Sequence, residues 1–202
     1  MPGRLIASHI YRQVAGGPGG GDVLKRSVKR PEARALVERI GAALAWHGAL
    51  SFDYIVEAAS GTPRFIDANP RLVEPMNAWL SGIDLVGALL RVTLGVAQPQ
   101  QPEGRSGVLT RLGLMGLLDA ARRRSLRRDV LAELVLLLRG SGRYRDAGEE
   151  LTPLRTDPWS AVPFSLVAAK LLLNPASAGR MAASTVRAYS LSAKAVRHLS
   201  GL

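Results

Sequence analysis

Residues 51–57 and 64–69 alternate between polar and apolar side chains, and this alternation constrains the fold more than any other feature of the sequence. A period of two is typical of a β-strand whose two faces meet different surroundings. The sequence AASGTP between the two segments has the composition of a turn. The pattern therefore predicts a β-hairpin.

A turn centred near Ser60 places residues whose numbers sum to 120 opposite each other, so Asp53 faces Asp67. Asn69 follows Asp67 by two residues and therefore shares its face. Like charges directly opposite on a sheet are destabilising, and a hard divalent cation such as Mg²⁺ removes the repulsion while phosphates complete its shell. Arg71, two residues further on, is placed to neutralise phosphate charge.

Two alternatives stay open at this level. Glu57 is a competing carboxylate, but the same register places it opposite Pro63 near the tip, about 13 Å from Asp53 at the usual strand rise. The segment from Asp67 to Pro70 also has the composition of an ordinary turn that ends a strand.

The remaining segments predict an α+β fold. We expect strands at 4–12 and 23–28, a flexible glycine-rich turn at 15–22, a helix from Pro31, and helices at 74–81 and 83–94. Residues 96–107 are rich in Gln, Pro and Gly and predict a linker, after which the chain reads as basic and helical. The expected domains are therefore 1–95, the linker 96–107, and a helical extension, 108–202.

Composition excludes some classes of site. The chain has no cysteine, which excludes disulfides and thiolate metal sites and fits a cytoplasmic location. It has only three histidines, widely spread, which argues against a zinc site built from histidine. The net charge of +11 is compatible with anionic partners. Aromatic residues do not interleave with the Arg cluster at 122–128, so nucleic acid is not favoured, and contact with a membrane surface is a weaker alternative.

Residues 51–85 resemble the C-terminal half of the ATP-grasp fold, most closely the carbamoyl-phosphate synthase and biotin carboxylase type of ligase. The resemblance lies in Asp53 on one strand, the segment Asp67-Ala68-Asn69-Pro70-Arg71 on the next, and the motif Gly82-Ile83-Asp84-Leu85. It extends more weakly over residues 3–95. It implies an antiparallel sheet with flanking helices, followed here by the α-helical extension.

The resemblance also implies roles for individual residues. It makes Asp53, Asp67 and Asn69 the ligands of Mg²⁺, with Mn²⁺ as a substitute, and Arg71 a catalytic contact to phosphate. Glu74 lies where some members place a catalytic acid. Lys25 and Arg26 lie on a strand that the resemblance places near the phosphates of ATP.

Proteins of this family use ATP to convert a carboxylate into an acyl-phosphate, which an amine or similar nucleophile then attacks. The expectation is therefore an ATP-dependent carbon–nitrogen ligase that binds a nucleotide and a small carboxylate. The family's N-terminal half has no counterpart in the sequence, so we also expect a truncated enzyme, or a subunit that pairs with a separate half or with a second copy. A non-catalytic binding module is the alternative.

Overall fold

A computed structural model of the chain describes residues 3–154 and 156–189, which form a mixed α+β fold in two compact units. The first unit contains residues up to Arg12 together with Arg26–Leu109, and the second contains Gln13–Lys25 and the residues from Thr110 onward. The division after Leu109 lies close to the end of the expected linker. The glycine-rich turn, however, belongs with the second unit.

The elements of both units follow in chain order. The strands are β1 (Tyr11–Gly16), β2 (Asp22–Ser27), β3 (Ser51–Val56), β4 (Pro63–Asn69), β5 (Leu109–Arg111) and β6 (Gly148–Glu149). The helices are α1 (Pro31–Ala43), α2 (Met76–Leu80), α3 (Leu85–Thr93), α4 (Gly113–Arg124), α5 (Arg127–Arg139), α6 (Ala161–Leu173) and α7 (Ser177–Tyr189). None of these described helices is long and apolar enough to cross a membrane.

The described strands form two separate sheets. One sheet has the order β1-β2-β5-β6, with β5 and β6 parallel, and the boundary between the units runs through β1, β2 and β5. The other sheet is the antiparallel hairpin of β3 and β4 alone. The predicted hairpin is therefore confirmed, but it is not extended by further described strands.

Several boundaries differ from the prediction. The first strand begins at Tyr11, and residues 4–10 have no regular secondary structure. β5 and β6 lie within residues 108–202, the predicted helical extension, although β6 falls in a polar loop that the sequence predicts at 139–158. These strands have three and two residues, which is too short for alternation to be recognised in the sequence.

Residues 96–107 are held within the first unit by hydrogen bonds and do not form a free tether. The side chain of Gln101 accepts from the backbone N–H of Asp84 at 3.0 Å and donates to its carbonyl at 2.9 Å. Asp84 in turn caps α3, because its carboxylate accepts from the N–H of Gly87 at 2.7 Å. Part of the Gly82–Leu85 motif is thus explained by the start of a helix.

The core of the second unit contains a buried group of polar side chains. Tyr144 is fully buried, and its hydroxyl donates to the carboxylate of Glu133, which also pairs with Arg143. Burial, reinforced by the hydrogen bond to Glu133, raises the pKa of Tyr144 far above its ordinary value. Gly116 of α4 lies against both side chains, because it has no Cβ to displace them.

We expect Gly116→Ala to lower the free energy of unfolding by about 1–3 kcal/mol, because the added methyl group would overlap the Tyr144 hydroxyl. Urea denaturation followed by circular dichroism measures the change. Gly179→Ala is the matched control, since nothing lies within 4 Å of the added atom and alanine favours the interior of α7, by about 0.5–1 kcal/mol. Equal effects of the two changes would contradict the packing argument.

Candidate functional site

The register of the β3–β4 hairpin places Asp53 directly opposite Asp67, as the sequence predicts. Beyond this pair the register shifts, so that Tyr54 pairs with Phe65 and Ile66 is the extra residue of a β-bulge. The bulge changes the predicted pairing at the tip, where Glu57 donates its N–H to the carbonyl of Thr62 at 3.0 Å. The opposition of the two aspartates does not depend on this shift.

The two faces of the hairpin differ in chemistry. The ring of Phe65 lies 4.8 Å from that of Phe52 and 6.0 Å from that of Tyr54, so the three rings share one face. Asp53 lies between Phe52 and Tyr54 along the strand and therefore projects to the other face, where Asp67 is its partner. Both aspartates are exposed to solvent. The hairpin thus has an aromatic face and a carboxylate face.

Asn69 contacts the carboxylate face through its amide nitrogen. Its Nδ2 donates to Oδ2 of Asp67 at 3.0 Å, while Oδ1 of Asp67 accepts from the N–H of Ala68 at 2.9 Å. The oxygen and nitrogen of an amide exchange places when the group rotates by half a turn. Asn69 therefore reaches the position of a third ligand, and rotation would direct its oxygen toward a cation.

The donor set of two carboxylates and one amide fits Mg²⁺ in part. Among the described residues no group of three or more His, Cys, Asp or Glu side chains could hold a metal ion. The hairpin can supply at most three oxygen-bearing side chains at this place, whereas Mg²⁺ takes six oxygens. A cation bound here would need water and phosphate oxygens for the rest of its shell.

Arg71 lies at the base of the hairpin, and hydrogen bonds of the backbone fix its position. Its N–H donates to the carbonyl of Asn69 at 2.8 Å, and its own carbonyl accepts from the hydroxyl of Ser51 at 2.8 Å. The side chain is exposed, with one nitrogen 3.3 Å from the carbonyl of Leu72. The guanidinium is therefore available to an anion close to Asn69.

Glu74 lies three residues beyond Arg71, exposed to solvent just before α2. Its φ of +45° lies in the left-handed region, which costs a residue with a side chain about 1–2 kcal/mol. Such conformations are concentrated at functional sites, where the surrounding structure holds them. Ala45, Ser125 and Asp146 also have positive φ, so this conformation does not by itself assign a role to Glu74.

We expect Glu74→Gly to raise the free energy of unfolding relative to Glu74→Gln by up to about 1 kcal/mol, because glycine adopts positive φ without steric cost. Both changes remove the carboxylate, so both should lower any activity that depends on it. Chemical denaturation and activity are measured on the same preparations. Equal stability of the two variants would show that the left-handed backbone stores no strain.

Lys25 and Arg26 are adjacent on β2 but project to opposite faces, as alternation requires. Lys25 is fully buried in the second unit, with its ammonium 2.8 Å from the carboxylate of Glu150. Arg26 belongs to the first unit and is exposed to solvent. Only Arg26 is therefore accessible to the phosphates that the sequence analysis assigned to both residues.

We expect Lys25→Met to lower the free energy of unfolding by about 3–5 kcal/mol, because it removes the cation that faces a buried carboxylate. Arg26→Gln is the neighbouring control and should change it by less than about 0.5 kcal/mol. Thermal and urea denaturation measure both. A tolerated Lys25→Met would mean that the pair contributes little to the fold.

Arg12 is a basic residue near Arg26 that the sequence analysis did not single out. The N–H of Val28 donates to the carbonyl of Ile10 at 2.9 Å, and the N–H of Gly17 donates to that of Gly21 at 2.7 Å. In each hydrogen-bonded pair the two residue numbers sum to 38, so Arg12 lies opposite Arg26. The sequence would have predicted this pairing, as it predicts Asp53 opposite Asp67, if the limits of the first strand had been known.

A scan of protein-family models and searches of curated proteins and of solved structures found no significant match to this chain.

Proposed function

We propose that the chain is an ATP-grasp protein that binds a divalent cation and the phosphates of ATP at the carboxylate face of the β3–β4 hairpin. The observation that supports this proposal is the pairing of Asp53 with Asp67 across the two strands, both exposed to solvent. Asn69 is the third ligand after rotation of its amide. Mg²⁺ is the expected ion, and Mn²⁺, which also prefers oxygen ligands, should replace it.

The physical reason is electrostatic. Directly opposed residues of an antiparallel pair have Cβ atoms about 5 Å apart, so two ionised carboxylates repel each other there. Neither Asp53 nor Asp67 is in an ion pair within the described part of the chain. A bound cation converts this repulsion into attraction, and the missing ligands are those that a nucleotide brings.

The activity that follows is that of an ATP-dependent carboxylate ligase. A substrate carboxylate oxygen forms a bond with the terminal phosphorus of ATP as the bond to ADP breaks, and an amine then displaces phosphate from the acyl-phosphate. Magnesium supplies charge neutralisation when bound. Arg71 offsets the charge that develops on the transferred group, and Glu74 accepts the proton that the amine loses.

A non-catalytic module, or a subunit that needs a second polypeptide, is the alternative that one observation favours. The hairpin is a two-stranded sheet, and such a sheet is marginally stable in water by itself. Ile55 and Ile66 are 56% and 65% exposed on it. A partner packed against the hairpin would cover these side chains and complete the nucleotide site.

We expect Asp67→Asn to lower the affinity for Mg²⁺ with a non-hydrolysable ATP analogue by at least about tenfold, because one anionic ligand is lost while the fold is retained. Isothermal titration calorimetry measures the affinity. Glu57→Gln is the control, since this carboxylate lies at the tip of the same hairpin and is paired with Arg64 at 3.5 Å. Unchanged affinity in Asp67→Asn would remove the metal site from the proposal.

Turnover separates the two candidate functions. Release of ADP in the presence of carboxylates and amines, lost in Arg71→Gln, supports the ligase. Binding without turnover by a well-folded chain supports the module or subunit.

A further inference from the structure

Arg12 and Arg26 face each other across β1 and β2. The hydrogen bond from Val28 to Ile10 gives pairs whose numbers sum to 38, and Arg12 and Arg26 are such a pair. Directly opposite side chains of a hairpin project to the same face. The side chains of Arg12 and Arg26 therefore project from the same face, and both residues are in the first unit and exposed to solvent.

Some arginines of the first unit form ion pairs, whereas Arg12 and Arg26, like Arg30 and Arg39, do not within the described chain. Arg34 pairs with Glu103 at 3.1 Å, and Arg91 pairs with Asp84 at 3.7 Å. Within the described chain, no acidic side chain forms an ion pair with Arg12 or Arg26. Like charges directly opposite on a sheet are destabilising, so the pair is retained at a cost to the fold.

The two arginines line a shallow groove of about 480 Å³ that is widely open to solvent. Lys29 and Arg30 complete its basic lining, which also includes Ser106 and Gly107. Among the described residues, no acidic side chain lines the groove. Lys29 lies 3.8 Å from Glu103, and both side chains are largely exposed. The groove therefore concentrates positive charge.

The start of α1 adds its dipole to this potential, and Glu32 in the first turn offsets part of it. Arg30 is the residue that precedes the first helical turn, and its side chain makes no capping hydrogen bond. Helix α1 has 13 residues, and the positive end of its dipole lies beside the basic side chains. A negative group in the groove would meet four cationic side chains and the start of a helix.

The described lining of the groove includes no residue of the β3–β4 hairpin. Asp53 and Asp67 therefore lie outside the groove. A ligand in the groove would not share the cation that we propose for the two aspartates.

We propose that this groove is a binding site for the phosphoryl group of a small molecule, held between Arg12 and Arg26 with Lys29 and Arg30 around it. Guanidinium groups bind phosphate oxygens through pairs of hydrogen bonds, and two of them side by side match a group with two or more negative charges. The ligand relieves the repulsion between the two arginines. This site is independent of the proposed nucleotide site.

Titration calorimetry with pyrophosphate at low salt, with a chelator present to remove divalent cations, tests the proposal. We expect binding by the full chain, and affinity lower by about tenfold or more in Arg12→Gln and in Arg26→Gln, since each removes a charge-assisted contact. The double variant should lose binding. Circular dichroism confirms that each variant is folded.

The double variant Arg122→Gln/Arg124→Gln is the charge-matched control, because it lowers the net charge by the same amount at exposed positions of α4. Unchanged affinity in this control, with loss in the Arg12/Arg26 double variant, supports a specific site. Equal weakening of both would overturn it, since general electrostatic attraction would then explain the binding. Absence of binding by the folded chain would also overturn it.

Two further measurements distinguish the source of the phosphate and the two proposed sites. Arginine-dependent binding to phosphatidylcholine vesicles that contain phosphatidic acid, relative to phosphatidylcholine alone, would identify a lipid headgroup; binding of pyrophosphate without vesicle binding would identify a soluble ligand. Asp67→Asn should bind pyrophosphate as the unmodified chain does. Loss of pyrophosphate binding in Asp67→Asn would overturn the independence of the groove.

Discussion

At two places in the first unit, like charges lie directly opposite each other on neighbouring strands and repel each other. The functional interpretation of this unit depends on that repulsion. Asp53 faces Asp67 on one hairpin, and Arg12 faces Arg26 on the other. A sheet gains stability when opposite charges occupy such positions, whereas these two like-charged pairs destabilise it. Each is relieved by a ligand of the opposite sign, a cation in the first case and a phosphoryl group in the second.

Two ion pairs of the second unit are largely buried, in contrast to these exposed charges. Lys25 meets Glu150, and Arg111 meets Glu149 at 3.2 Å. Glu149 also accepts from the N–H of Gly113 at 3.1 Å, at the start of α4. A buried charge is tolerated when hydrogen bonds and a partner of opposite sign surround it. These residues stabilise the fold, whereas the unpaired charges of the first unit are available to bind ligands.

The hairpin and its opposed aspartates could be predicted from the sequence because they depend on local spacing, namely a turn near Ser60 and a period of two. The helices could be predicted for the same kind of reason; α1, for example, begins at Pro31 as expected. The bulge at Ile66 could not be predicted. The turn is loose, so the sequence does not fix the register between the Asp53–Asp67 pair and the tip of the hairpin. β5 and β6 could not be predicted, because segments of two or three residues are too short to show the period of two that is typical of a strand.

The sequence by itself determined which residues can bear charge at the hairpin and on which face of a strand each one lies, because a strand alternates its side chains whatever surrounds it. It did not determine which of those charges are satisfied. Lys25 and Arg26 are equivalent candidates in the sequence, yet one is buried against Glu150, 125 residues away along the chain, and the other faces solvent beside Arg12. Only the tertiary structure decides this, because burial and ion pairing depend on residues that are distant in sequence and brought together by folding.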